Sequence, residues 1–138
     1  MAYSLLYVSK TLLEAPQAEA EVAQIVAGSV SRNARLGVTG ALVSTGTYFA
    51  QLLEGPEAAV AELMQSINAD ARHMRVRTIR TAQEERRFAA WSMVYTGYAS
   101  FVDRYIAPFF SALPQSDAAH LAQRLVSLME EYARLPAG

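Results

Sequence analysis

The 138 residues contain no cysteine, which excludes disulfides, thiolate chemistry and a cysteine-based zinc site. A surplus of one charge is also lacking. With a formal net charge of −1, nothing draws the chain generally to nucleic acid or to an anionic membrane. No apolar run reaches membrane-spanning length, and the N-terminus has no signal-peptide pattern. A soluble cytoplasmic protein is therefore expected. Internal repeats, low-complexity stretches and a glycine-rich phosphate loop are absent too. What is present, 52% hydrophobic and 18% charged residues, is a globular composition, and the length suits one domain with a sizeable core.

Tyr3–Ser9 (YSLLYVS) alternates Leu5 and Tyr7 with Leu6 and Val8, so both faces of this first strand are apolar. Such a strand belongs in a sheet covered on both sides. From Ala18 to about Ala34 a helix is expected, with Val22, Ile25, Val26, Ser29 and Asn33 on one face. That face starts apolar and ends in a hydroxyl and an amide. Strands at Gly40–Ser44 and Tyr48–Glu54 flank Thr45-Gly46-Thr47, a hairpin turn. Pro56 opens a second helix in its first turn, with a core stripe of Val60, Leu63, Met64 and Ile67. Two more strands, Met74–Thr81 and Ala90–Gly97, are joined by the charged loop Gln83–Arg87.

The order is βαββαββ, an α+β ferredoxin-like sheet with one extra strand and two helices on one face. Two apolar stripes follow, Ile106-Phe109-Phe110-Leu113 and, beyond Pro114, Leu121-Leu125-Leu128-Met129-Tyr132. These C-terminal helices are expected to cover the other face, including Leu6, Val8, Tyr48 and Leu52, or to form a subunit interface. The expected division is 1–97 for the sheet domain and 98–138 for the helical extension. His120 is read as an exposed helix residue, and Arg75, Arg77 and Arg80 as a solvated rim.

Strand and helix phase bring a polar set under the first two helices. Tyr7 is in phase with Leu5, Gln51 with Phe49 and Leu53, and Trp91 with Met93, while Ser29 and Asn33 lie one turn apart. Taken singly, each has a bland reading as a core aromatic, a bridged amide or a helix terminator. A buried amide nevertheless needs its donor and acceptor satisfied, and here two amides, a phenol, an indole and a thioether converge.

In these contexts the sequence resembles the BLUF family, the blue-light sensors that use flavin adenine dinucleotide. The matching pieces are LLYVS with Tyr7, RNARLGVTGAL with Asn33, YFAQLLEGP with Gln51, DARH at 70–73 and ERRFAAWSMVY with Trp91 and Met93. They span about residues 3–97 in the family's order and spacing. The resemblance implies noncovalent FAD between the two helices, with Ile25 and Ile67 as apolar walls and Ser29, Arg32 and Asn33 beside it. Arg72 and His73 would lie on the ribose–phosphate side. It also implies a light cycle: transfer from Tyr7, rearrangement of Gln51, recombination, and a slightly red-shifted flavin. Trp91 and Met93 would carry the change into the C-terminal helices, to a homo-oligomer or an unidentified protein effector. No nucleic-acid partner, membrane or metal is expected, and no catalytic role. The rival readings are a small acylphosphatase-like hydrolase and a ligand-binding regulator on the same scaffold.

Overall fold

The structure is a computed structural model. It describes residues 1–12, 18–89, 93–98, 100–111 and 113–133. Strands β1 (Ala2–Thr11), β2 (Thr39–Ser44), β3 (Tyr48–Gly55), β4 (His73–Glu84) and β5 (Val94–Tyr98) form one sheet in the order β4-β1-β3-β2-β5. β1 lies antiparallel to both β3 and β4, and β5 runs parallel to β2 at the far edge. The chain between β4 and β5 therefore crosses the whole width of the sheet. Helices α1 (Ala18–Leu36) and α2 (Glu57–Ala69) follow β1 and β3, as the βαββαββ reading requires.

Two apolar layers sandwich the sheet. Leu5, Tyr7, Leu42, Phe49 and Leu53 point into the layer shared with Val22 of α1 and Val60 and Leu63 of α2. Leu6, Val8, Ala41, Val43, Ala50 and Leu52 form the opposite layer. The latter is covered by α3 (Asp103–Ile106), its flanking 3-10 turns (Ser100–Val102 and Ala107–Phe110) and α4 (Gln115–Ala133). Each fully buried Leu or Val contributes roughly 1.5–3 kcal/mol by leaving water, which is why a strand greasy on both sides recruits two covers.

Local chemistry sets the connections. α1 ends at Gly37, whose φ of 72° is a left-handed conformation that costs glycine nothing. Val38 N–H donates to the Asn33 carbonyl at 2.9 Å and Gly37 N–H to that of Ala34 at 3.4 Å, a Schellman ending. Asn33 is thereby fixed in the last turn of α1, only 2% exposed. Gly40 lets β2 and β3 meet, since a Cβ there would lie 2.0 Å from the Leu52 carbonyl oxygen. In the hairpin, the Thr45 hydroxyl accepts from Tyr48 N–H at 2.9 Å and from Thr47 N–H at 3.3 Å.

Several details depart from expectation. Pro56 is the residue before α2 and not within its first turn. Gln83 and Glu84 extend β4, because β1 pairs with it as far as Ala2 opposite Glu84. The buried stripe of α4 is Ala122, Leu125, Val126 and Met129, while Leu121, Leu128 and Tyr132 sit at its margin. The helix is rotated so that small and branched residues meet the sheet. Arg75, Arg77 and Arg80 are not a merely solvated rim. Arg77 donates to the Phe109 carbonyl at 2.6 Å, and both Arg75 and Arg77 lie over the Phe110 ring, at 5.4 and 5.7 Å. Arg80 pairs with Glu84 at 2.8 Å. His120 is exposed, as expected.

Candidate functional site

Antiparallel register places Tyr7 of β1 directly opposite Gln51 of β3, with Leu42 of β2 beyond it. Both polar side chains rise from mid-sheet toward the gap between α1 and α2. There they line one cavity with Ile25, Ser29, Arg32 and Asn33 of α1, Leu63 and Ile67 of α2, and Asp70, Arg72 and His73 beyond α2. Its empty space is about 540 Å³ counted out to its mouth, but only about 40 Å³ is wide enough for the centre of a water molecule. The cavity is a slot, and a flat ring system entering it must part the side chains of the two helices.

Inside the slot the Tyr7 phenol donates a short hydrogen bond to Gln51 Oε1. The other end of the same amide, Nε2, points at the Met93 sulfur 3.6 Å away. Tyr7, Gln51 and Met93 are 3%, 5% and 5% exposed, so this chain of contacts is dry. Burial pushes the Tyr7 phenol well above the usual tyrosine range, Asp70 adds to the shift, and Arg32 opposes it. The phenol is thus held firmly as O–H.

The rim uses its charges internally. Arg72 engages Asp70 through Nε and Nη2, at 2.9 and 2.6 Å. That contact holds the Asp70 carboxyl below the usual carboxylate range. His73 contacts Ser9 Oγ through Nδ1 at 2.8 Å and the Ile67 carbonyl through Nε2 at 2.6 Å. A carbonyl can only accept, so Nε2 carries a proton. The ring also stands edge-on to Tyr7 and Phe49, with centroids 6.1 and 6.3 Å away. It therefore presents its edge to the slot while its nitrogens brace α2 against β1.

Every candidate site residue except Trp91 and Met93 lines the slot; Met93 joins it through Gln51, and Trp91 lies outside the described residues. Sequence reasoning did not assign Leu42, Phe49, Leu53, Leu63 or Asp70 to the site. The four apolar residues were legible as in-phase positions, and Asp70 as the acid two residues before Arg72.

A flavin's pyrimidine edge presents carbonyl, N–H and carbonyl, which requires neighbours that both donate and accept. Asn33 and Gln51 are such groups, and Ile25, Leu63 and Ile67 supply apolar walls. The decisive fit is at Arg32, whose Nε is buried and, among the described residues, has no hydrogen-bond partner. An unpaired buried donor beside a cavity calls for a ligand acceptor. The family profile described as sensors of blue light using FAD matches residues 2–94.

The chain belongs to the BLUF family.

It is a blue-light sensor whose cofactor is FAD. It is 34% identical over 92 residues to the photoactivated adenylate cyclase subunit beta of Euglena longa. That match takes in 65% of this chain and 10% of the relative, so the chain spans about a tenth of the cyclase's length. Among solved structures it is similar to the dark state of the BLUF protein BlrB, at 31% identity and a TM-score of 0.71. That likeness covers 92% of this chain and 96% of BlrB. The photo-activated state of BlsA, at 21% identity and a TM-score of 0.75, shares the fold over 100% of this chain and 99% of its own. Membership favours the flavin sensor over both rival readings, the acylphosphatase-like hydrolase and the ligand-binding regulator. Among the described residues, no helix is long and apolar enough to cross a membrane.

Proposed function

We propose that the Tyr7–Gln51–Met93 chain is the photochemical switch of this BLUF protein. When bound, FAD supplies the absorption of blue light and an excited-state acceptor for an electron and a proton. Tyr7 is the residue that gives these up and takes them back, its Oη proton passing along the hydrogen bond to Gln51. Gln51 then turns or tautomerises. Because its two ends have opposite polarity, either change rewrites what Met93 and the flavin edge meet without moving the backbone. Asn33 and Arg32 hold the pyrimidine edge, Ile25 and Ile67 flank the ring, and Ser29 lines the α1 side. Arg72 and His73 lie toward the ribose and phosphates.

The output runs from Met93 into β5 and the helices beyond Gly97, with Trp91 on the same connection. Residues 1–97 are the sensor and 98–138 the responding extension, acting in the cytoplasm through a homo-oligomer or a protein effector. The hydrogen bond between Tyr7 and Gln51 supports this reading most strongly. The test is to saturate the protein with FAD and illuminate it with blue light. A small red shift that reverses in the dark is expected; bound FAD with no shift would contradict the switch.

A further inference from the structure

We infer that Glu54 is the fixed anchor of the segment through which Gln51 is read out, an inference that rests on the switch role proposed for Gln51. Glu54 follows Gln51 by three residues on β3, so its side chain leaves by the opposite face of the sheet, and it is only 1% exposed. There the crossing chain between β4 and β5 passes over it. Its carboxylate accepts from Arg87 N–H at 2.7 Å, Phe88 N–H at 2.7 Å and the Thr39 hydroxyl at 2.8 Å. The Phe88 side chain is fully buried in the layer beneath α4. Arg87 reaches Glu130 of α4 at 2.9 Å. Five residues after Phe88, Met93 meets the Gln51 amide.

Residues 87 and 88 on one side and Met93 on the other are therefore tied to two side chains of one strand, Glu54 and Gln51 of β3. One tie is a buried carboxylate that accepts three hydrogen bonds; the other is a weak amide–thioether contact. A segment loose at both ends would absorb a change at Gln51 within itself. With residues 87 and 88 held, a displacement of Met93 is passed on to β5 and to the helices behind the sheet. Among the described residues, the hydrogen bonds of the Glu54 side chain go to Thr39, Arg87 and Phe88 and to none of the slot residues, so it is a positioning residue.

The experiment compares the FAD-loaded parent with Glu54→Gln, Thr39→Val and Thr39→Ser. It reads the light-minus-dark absorption, the dark hydrogen exchange of residues 86–89, and the light–dark exchange difference over residues 98–133. Glu54→Gln turns an amide N–H₂ toward a backbone donor, so dark exchange at 87–88 should rise about tenfold or more. Its red shift should match the parent, while the light–dark difference over 98–133 falls by about half or more. If Glu54→Gln does not fold, Thr39→Val carries the same test with a smaller loss, and Thr39→Ser should restore the parent response. A parent-like light–dark difference in the folded Glu54 or Thr39→Val variant would overturn the anchor. So would loss of the red shift in Glu54→Gln, which would place the carboxylate's effect at the flavin. A parent with no red shift would instead overturn the reading of Gln51, and this inference with it.

Discussion

Tyr7 and Gln51 face each other across β1 and β3, with the phenol donating to the amide oxygen. Because that oxygen is occupied, the amide nitrogen is turned to Met93. One hydrogen bond thus sets the orientation of the whole Gln51 side chain. In this structure the direction of the amide is a consequence of the phenol.

Two substitutions separate flavin binding from switching. Gln51→Leu fills the space without donating or accepting, and Tyr7→Phe removes the oxidisable O–H. Both should retain FAD and lose the reversible red shift in light-minus-dark spectra. A full shift in either variant would remove that residue from the mechanism.

Asn33→Ala acts on affinity instead. It leaves polar flavin atoms unpaired in a dry slot, at a cost of roughly 1–3 kcal/mol, or about 5- to 150-fold in Kd. Flavin fluorescence titration measures this directly. An unchanged Kd would show that the last turn of α1 does not touch the ring.

How much of this was legible follows from the residues. Alternation in YSLLYVS and YFAQLLEG put Tyr7 and Gln51 on one face, and the structure pairs them directly. Ser29 and Asn33 were legible from helical phase. Glu54 was not, because a glutamate at a strand's end reads as solvated; its partners arrive from a crossing chain 33 and 34 residues later. The buried face of α4 was misjudged for a related reason. Ala122 and Val126 fit close to the sheet, while the larger Leu128 and Tyr132 stay at the edge. Shape complementarity leaves no trace in periodicity.

That corrected face yields a stability contrast. Leu125 is fully buried, so Leu125→Ala should cost about 2–5 kcal/mol in urea unfolding. Leu128 is only half-buried, and Leu128→Ala should cost clearly less. Equal losses would mean that α4 packs in another rotation.

Acid stability should report the β4 ion pair. Arg80 holds the Glu84 carboxylate down to about 2, against the burial that raises it, and Arg87 assists. A depressed carboxyl stabilises the fold above its unfolded value, and that stability is lost as pH falls from about 4.5 toward 2. Glu84→Gln should flatten the decline of Tm across this window. An unchanged acid limb would show that the pair contributes nothing to folding.

At alkaline pH the sign reverses for Tyr7. Its phenol is raised above the unfolded value of about 10 by burial, so its contribution is intact below that pH and is lost above it. Tyr7→Phe should therefore lose less stability above about pH 10 than the parent does. Chemical denaturation at pH 9, 10 and 11 gives the comparison, and parallel curves would contradict the shift.

The proposed switch requires that Gln51 itself rearranges. Its most direct test is nuclear magnetic resonance of the FAD-loaded protein carrying ¹⁵N-labelled glutamine side chains, in the dark and under blue light. The Gln51 side-chain amide resonances should move on illumination and return in the dark together with the absorption shift. An unmoved Gln51 signal alongside a complete red shift would contradict it.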